Sequence, residues 1–250
     1  MPAALTFEGV GKVFADGTDA LAGLEFRLDH GTFTAVVGPS GGGKSTLLRL
    51  AAGLLAPTAG QVIRTLATPG PGAIGYVFQD PTLMPWADVR ANVRLPLKLT
   101  CMPRREADAR VANALALVGL DAFADRYPLQ LSGGMRMRVA IARALVTEPS
   151  LLLLDEPFAA LDEITRFRLN DELLRLWQLR RCTVLFVTHS VGEAVYLAER
   201  ILVLSPRPGR IVTDIAVALP QPRSAALRTS RPFEDLSATV SRALVEAIQA

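Results

Sequence analysis

The sequence predicts an α/β protein with short parallel strands buried at its centre. Three runs carry that expectation: "FTAVVG", "LLLLD" and "CTVLFVTH" are apolar almost throughout and too short for buried helices. Segments with helical spacing lie between them. An alternating N-terminal stretch adds an antiparallel β part, and the pattern from Asp88 to Val146 adds an inserted helical part.

Taken in order, "LTFEGVGKVF" and "LAGLEFRLDHGTFTAVVG" alternate or carry short apolar runs broken by Gly and Asp, and read as strands with hairpin turns. "FTAVVG" runs into a glycine-rich loop. "KSTLLRLAAGLL" has helical spacing, and "APTAG" stops it. "GAIGYVFQ" is a strand, and "READARVANALALVGL" is the clearest helix of the inserted part. "DEITRFRLNDELLRLWQLR" is an amphipathic helix, and "AERILVLSPRPGRIV" is a closing hairpin. After the proline-rich "LPQPR", "PFEDLSATVSRALVEAI" forms a terminal amphipathic helix with Phe233, Leu236, Val240, Leu244 and Ile248 on one face. On this reading residues 1–219 are one domain, with its helical part at about 88–146, and residues 220–250 are a C-terminal tail.

Composition narrows the function. The chain has 250 residues, half of them hydrophobic and a fifth charged, enough for a well-buried core. Its 27 basic and 24 acidic residues leave a net charge of +3 with no basic run, so no nucleic-acid partner is expected. Arginine dominates, and the only lysines are Lys12, Lys44 and Lys98. One of these three sits in the glycine-rich loop, where a compact ammonium suits the space and a guanidinium fork does not. Cys101 and Cys182 lie far apart without metal-ligand spacing and read as reduced thiols. No secretory signal precedes the first strand, and no apolar run reaches the roughly 18 residues a membrane span needs. A role at a membrane then depends on a partner that spans it.

"GPSGGGKS", Gly38–Ser45, fits the phosphate-binding pattern G-x-x-x-x-G-K-[ST] between a strand and a helix. Gly38, Pro39, Ser40, Gly41, Gly42 and Gly43 let backbone N–H groups converge on phosphate oxygens, and the helix start at Lys44, Ser45 and Thr46 adds a favourable dipole. Lys44 reaches the β- and γ-phosphates, and the Ser45 hydroxyl binds Mg²⁺. The run "LLLLDE" places Asp155 at the C-terminal sheet edge, where open α/β sheets bind ligands; it serves the Mg²⁺ shell through water. Glu156 follows and can accept a proton from an attacking water. These motifs predict a nucleoside-triphosphate and Mg²⁺ site on a P-loop NTPase (RecA-like) core, and no more.

A second glycine loop, "LSGGM" at Leu131–Met135, precedes a strongly helical run. Ser132 is a good N-cap, and Gly133 and Gly134 leave bare N–H groups at the helix start, which makes a second anion site. Placed shortly before "LLLLDEP", this loop resembles the signature of the ATP-binding cassette (ABC) transport ATPases, whose usual form is L-S-G-G-Q. Met135 stands in place of the glutamine, a variant that many importers carry, and Met137 stands where glutamine is common just after it. The resemblance covers roughly Leu5 to Val212.

The resemblance implies further roles. Gln79 in "YVFQDP" matches the glutamine that binds Mg²⁺ and links the catalytic core to the helical part. Asp162 in "AALD" matches the loop that reaches across a dimer, and His189 in "FVTHS" the histidine that contacts the γ-phosphate. Phe14 matches the aromatic that stacks on adenine; its alternative is a core phenylalanine. His30 has no role. "VFQDPTLMPWADVRANVRLPL" and "SPRPGRI" resemble the importers of nitrate, sulfonate, taurine and related solutes. Trp86 there reads either as an anchor for a membrane subunit or as a core tryptophan at a turn. The implied protein is a peripheral ATPase at the cytoplasmic face of the inner membrane. It would act as a homodimer with transmembrane permease subunits and, indirectly, a solute-binding protein. The alternative is a soluble ABC ATPase of DNA repair or translation; the chain has neither the coiled-coil insertion nor the tandem cassette of those proteins. An unrelated P-loop kinase or GTPase is the remaining reading. LSGGM argues against it, and the guanine-reading N-K-x-D motif is absent.

Overall fold

The structure, a computed structural model, describes residues 3–67 and 69–249. The chain divides into two compact units: one comprises the segments up to Thr65 and from Thr183 onward, the other Leu66–Cys182.

The first unit holds two sheets. Strands β1 (Ala3–Val13) and β2 (Asp19–Asp29) form an antiparallel hairpin, and β4 (Ala59–Arg64) pairs antiparallel with the other edge of β1. Strand β4 carries no strand signal in its residues, because most of its side chains are exposed and it lacks an apolar alternation. Strand β3 (Phe33–Val37) lies between β7 (Thr183–Thr188) and β8 (Arg200–Leu204), parallel to both, and β9 (Ile211–Ala216) closes antiparallel on β8. Every residue of β3 and β7 is buried, as their unbroken apolar runs require. The expected hairpin at "DHG" is absent. The turn after Asp29 moves the chain from the antiparallel sheet to the parallel one, because a strand apolar on both faces cannot stay in a sheet with a wet side.

Two helices follow strands of this sheet: α1 (Lys44–Ala52) after β3 and α6 (Val191–Leu197) after β7. The terminal helix α7 (Arg231–Gln249) packs on α6 and β8. Its buried line is Val240, Ala243 and Ala247, while Ile248 is exposed and Phe233, Leu236 and Leu244 are half-buried. The expected stripe is therefore rotated toward the alanines, whose small side chains let the helix approach closely.

The second unit contains β5 (Ile74–Val77) and β6 (Leu151–Asp155), paired in parallel, and the helices α2 (Val89–Leu99), α3 (Arg104–Leu117), α4 (Gly133–Leu145) and α5 (Glu163–Arg180). Helix α2 packs on α3 and α4. Among the described residues no helix is long and apolar enough to cross a membrane.

Candidate nucleotide site

In the first unit the loop 38–43 joins β3 to α1. Gly43 caps α1 with φ 90°, a left-handed conformation, and a Cβ there would meet Leu21 Cδ2 at 2.6 Å. Lys44 is 5 % exposed, and its ammonium donates to the carbonyls of Gly38 and Pro39, each at 3.0 Å. Ser40 and Gly41 are exposed, and Ser45 and Thr46 are half-buried in the first helical turn. A short loop thus wraps a single buried cation at a helix start, which is what a polyphosphate needs.

The loop rests on the turn between β8 and β9. A Cβ on Gly42 would lie 2.9 Å from Ser205 O, and one on Gly209 would lie 2.3 Å from Gly42 O. Gly209 is held by N–H donation to Ala20 O and by accepting from Ala22 N, both at 3.0 Å. Ser205 Oγ accepts from Arg210 N. Sequence reasoning missed Ser205 and Gly209 as site residues. "SPRPGRI" showed a turn, but nothing in it shows which loop the turn supports.

His189 is exposed one residue beyond β7. Its neighbours are tied down: Thr188 Oγ1 donates to the buried Glu193 carboxylate and accepts from Ser190 N at 3.0 Å, and Ser190 Oγ accepts from Glu193 N at 3.3 Å to cap α6. Phe14 is half-buried in the β1–β2 turn, where its N–H donates to Thr18 O and its carbonyl accepts from Gly17 N. It is not a core residue, and the Lys12 ammonium lies 5.6 Å from its ring centroid.

The second unit carries the remaining predicted groups. Asp155 ends β6, is 6 % exposed, and accepts from the Tyr76 hydroxyl at 3.3 Å. Glu156 follows with φ 45°, half-buried. A left-handed backbone at a non-glycine costs about 1–2 kcal/mol, which the neighbouring strand end must hold in place. Gln79 is exposed two residues beyond β5. Asp162 is exposed and caps α5, accepting from Thr165 N at 2.9 Å, and this bond holds its carboxyl below the usual carboxylate range. Ser132 is exposed and caps α4, accepting from Met135 N at 3.3 Å. Gly134 is buried in the first turn, and a Cβ there would meet Thr165 Cγ2 at 2.8 Å. Met137 is 3 % exposed and belongs to the packing of the helix, not to the loop.

The segment after Gln79 is braced from two sides. Arg143 donates to Pro81 O and Thr82 O, at 2.8 and 2.9 Å. The fully buried Asn92 accepts from Met84 N at 2.8 Å and donates to Met84 O, Ala87 O and Asp88 O. Trp86, in the loop these bonds fix, is 77 % exposed. It is not a core tryptophan.

The family model described as ABC transporter matches residues 21–159, more than half of the chain. The chain belongs to the ABC transporter ATP-binding family. Among its relatives, an aliphatic sulfonates import ATP-binding protein of Bacillus cereus is 41 % identical over 238 residues, 93 % of this chain and 92 % of that protein. A nitrate import ATP-binding protein of Synechocystis is 47 % identical over 203 residues, 80 % of this chain and 76 % of that one. A solved ATP-binding cassette, a dimer in a post-hydrolysis state bound to ADP and Pi, superposes with a TM-score of 0.75 at 33 % identity, covering 86 % of this chain and 99 % of that one. This ABC protein is therefore an ATPase with the P-loop NTPase fold. Among the described residues no three of His, Cys, Asp and Glu gather into a metal cage. Each unit offers oxygen donors of the kind Mg²⁺ takes, Ser45 in the first and Gln79 and Asp155 in the second; Mg²⁺ keeps several waters and binds through one or two carboxylates together with substrate phosphates.

Proposed function

We propose that this ATPase is the cytoplasmic motor of an importer for a small solute of the nitrate, sulfonate or taurine kind. Two copies close on two ATP molecules, each held by the P-loop of one chain and the LSGGM loop of the other. The observation that supports the paired reading is the exposed Ser132 cap: a second helix start suited to an anion is open to solvent and so accessible to another molecule.

In this reading the loop 38–43 cradles the phosphates and Lys44 neutralises the β- and γ-oxygens. Ser45, Gln79 and, through water, Asp155 would hold Mg²⁺, which neutralises charge on the phosphates when bound. Glu156 takes the proton of the attacking water, and its fixed left-handed backbone limits where that carboxylate can point. His189 contacts the γ-phosphate, Phe14 stacks on adenine, and Asp162 reaches toward the partner chain. Closure is driven by phosphate charge, which both loops surround only in the closed pair; hydrolysis and phosphate release reopen it.

The face presented to the permease is the braced loop with Trp86. Beside it is a groove of about 320 Å³ lined by Tyr76, Phe78, Leu95, Pro96, Leu99 and Arg143. An exposed tryptophan on a rigid loop next to an apolar groove suits a short helix from a membrane subunit. The protein would then sit peripherally at the cytoplasmic face of the inner membrane, with a solute-binding protein acting on the far side.

The test mixes two inactive chains, Lys44→Ala and Ser132→Arg. In the heterodimer one composite site is intact and the other carries both lesions. Mixing should restore ATP hydrolysis and tight ATP binding at one site per heterodimer. Absence of both after mixing overturns the paired reading.

A further inference from the structure

Helix α6 follows directly on His189 and has only seven residues. Helices this short do not hold themselves together, and their terminal backbone groups need outside partners. The N-terminal end has the Thr188–Glu193–Ser190 set. The C-terminal end is completed from far along the sequence. Arg223, 9 % exposed, donates from Nη1 to Val195 O at 3.2 Å and to Tyr196 O, and from Nη2 to Ala198 O at 2.7 Å. These are carbonyls of the last turn and the residue just past it, where a cation is also favoured by the helix dipole. The Arg228 guanidinium lies 3.6 Å from the ring centroid of Tyr196, which is itself 1 % exposed on α6. Between the two arginines Leu227 is buried, and α7 packs against the same helix. The tail beyond residue 219 is thus built onto the helix that begins two residues beyond His189.

We propose that Arg223 is a positioning residue for ATP hydrolysis: by bonding the end of α6 it fixes the helix that begins two residues beyond His189. The inference rests on the reading that His189 contacts the γ-phosphate. An interaction made in the transition state loses most of its effect when misplaced by about 1 Å. Loosening α6 therefore lowers kcat and leaves ground-state ATP binding, held by the P-loop, nearly intact.

The experiment measures ATPase kinetics of the full chain for Arg223→Met, Arg223→Lys, His189→Ala and the double variant His189→Ala/Arg223→Met, well below their melting temperatures. Arg223→Met should lower kcat about tenfold with KM for ATP within about twofold, and Arg223→Lys, which keeps the charge and one donor nitrogen but not the fork, should recover part of the loss. In the His189→Ala background, Arg223→Met should lower kcat by less than about twofold further, although it lowers the melting temperature there as much as in the wild type. An equal fall in both backgrounds, or an unchanged kcat in Arg223→Met, overturns the positioning role. A wild-type kcat in His189→Ala overturns the reading of His189, and the inference with it. If Arg223→Met does not accumulate, Arg223→Lys carries the comparison: its kcat loss at unchanged KM should be confined to the background with His189 intact, and an equal loss in the His189→Ala background, or no loss in either, overturns the proposal.

Discussion

Gly209→Ala places one methyl group between two loops and should weaken ATP binding without touching a ligand-facing residue. The added Cβ would stand 2.3 Å from Gly42 O, where ordinary contact begins at 3.4 Å, so that carbonyl must retreat by about 1 Å. Leu21 Cδ2 at 3.0 Å and Leu204 Cδ2 at 3.2 Å close the methyl in on two other sides. Retreat of Gly42 is opposed by its own α-carbon, whose Cβ direction is blocked by Ser205 O at 2.9 Å and Pro39 O at 3.1 Å. Overpacking of this kind costs about 1–3 kcal/mol. If the strain is carried by the P-loop in its nucleotide-binding form, Kd for ATP rises about 5- to 150-fold. Titration with a fluorescent ATP analogue, beside a thermal melt, reads both quantities. Gly11→Ala is the control, since its Cβ would make only 3.5 Å contacts to Ala59 Cβ and Leu21 O, and it should bind ATP like the wild type. Wild-type affinity in Gly209→Ala refutes the idea that the β8–β9 turn backs the P-loop; a lowered melting point with that affinity would show the strain absorbed by the turn instead.

Three further outcomes are expected. Glu156→Gln should bind Mg·ATP, hydrolyse it poorly and accumulate as an ATP-bound pair in gel filtration; turnover at the wild-type rate removes Glu156 from the chemistry. Trp86→Ala, at a side chain 77 % exposed, should leave the melting point and the ATPase of the isolated subunit unchanged while weakening membrane-subunit binding by about 2 kcal/mol or more; retention of full binding in a pull-down counts against the docking face. Burial pushes the Cys182 thiol up to about 11, whereas Cys101 is exposed. A thiol reagent at pH 8 should therefore modify one cysteine quickly and the second only on unfolding; two fast thiols would contradict the burial of Cys182.

The glycine loop at a strand-to-helix turn and the Ser132 cap were legible because their residues are chosen for local reasons: a tight turn needs glycines, and a helix start needs a side-chain oxygen. The caps at Asp162 and Ser190 follow the same rule but were not read from the sequence. The buried strands were legible because β3, β6 and β7 are apolar on both faces. Strand β4 was not, since what holds it is backbone pairing with β1, to which any side chain is nearly neutral. Trp86 stood open between core and surface because a single aromatic has no period. The deciding residue was Asn92, whose side-chain amide forms four bonds to the loop from a position that reads as an ordinary helical polar residue.

The least legible contacts share one chemistry, an arginine side chain bonded to backbone carbonyls. Arg64 on β4 donates to Ala51 O at 2.7 Å and also to Leu50 O, closing the C-terminal end of α1, the helix that begins at Lys44. Arg223 does the same for α6, Arg143 for the Pro81–Thr82 turn, and Arg136 returns from α4 to Leu131 O beside the LSGGM loop. Each joins a functional loop or its helix to backbone carbonyls, and Arg64, Arg143 and Arg223 engage two or more at once. A planar fork spans neighbouring carbonyls in a fixed geometry, whereas an ammonium on a flexible stem satisfies them one orientation at a time. The same difference favours lysine at position 44, where one compact charge must fit inside a loop. Two signals therefore stand side by side: a lysine sits inside the glycine-rich loop, and arginines hold the ends of α1 and α6 and the turn at Pro81–Thr82. The first can be read from a motif. The second cannot, because a backbone carbonyl is present at every residue and leaves no trace in the sequence of which one an arginine will meet.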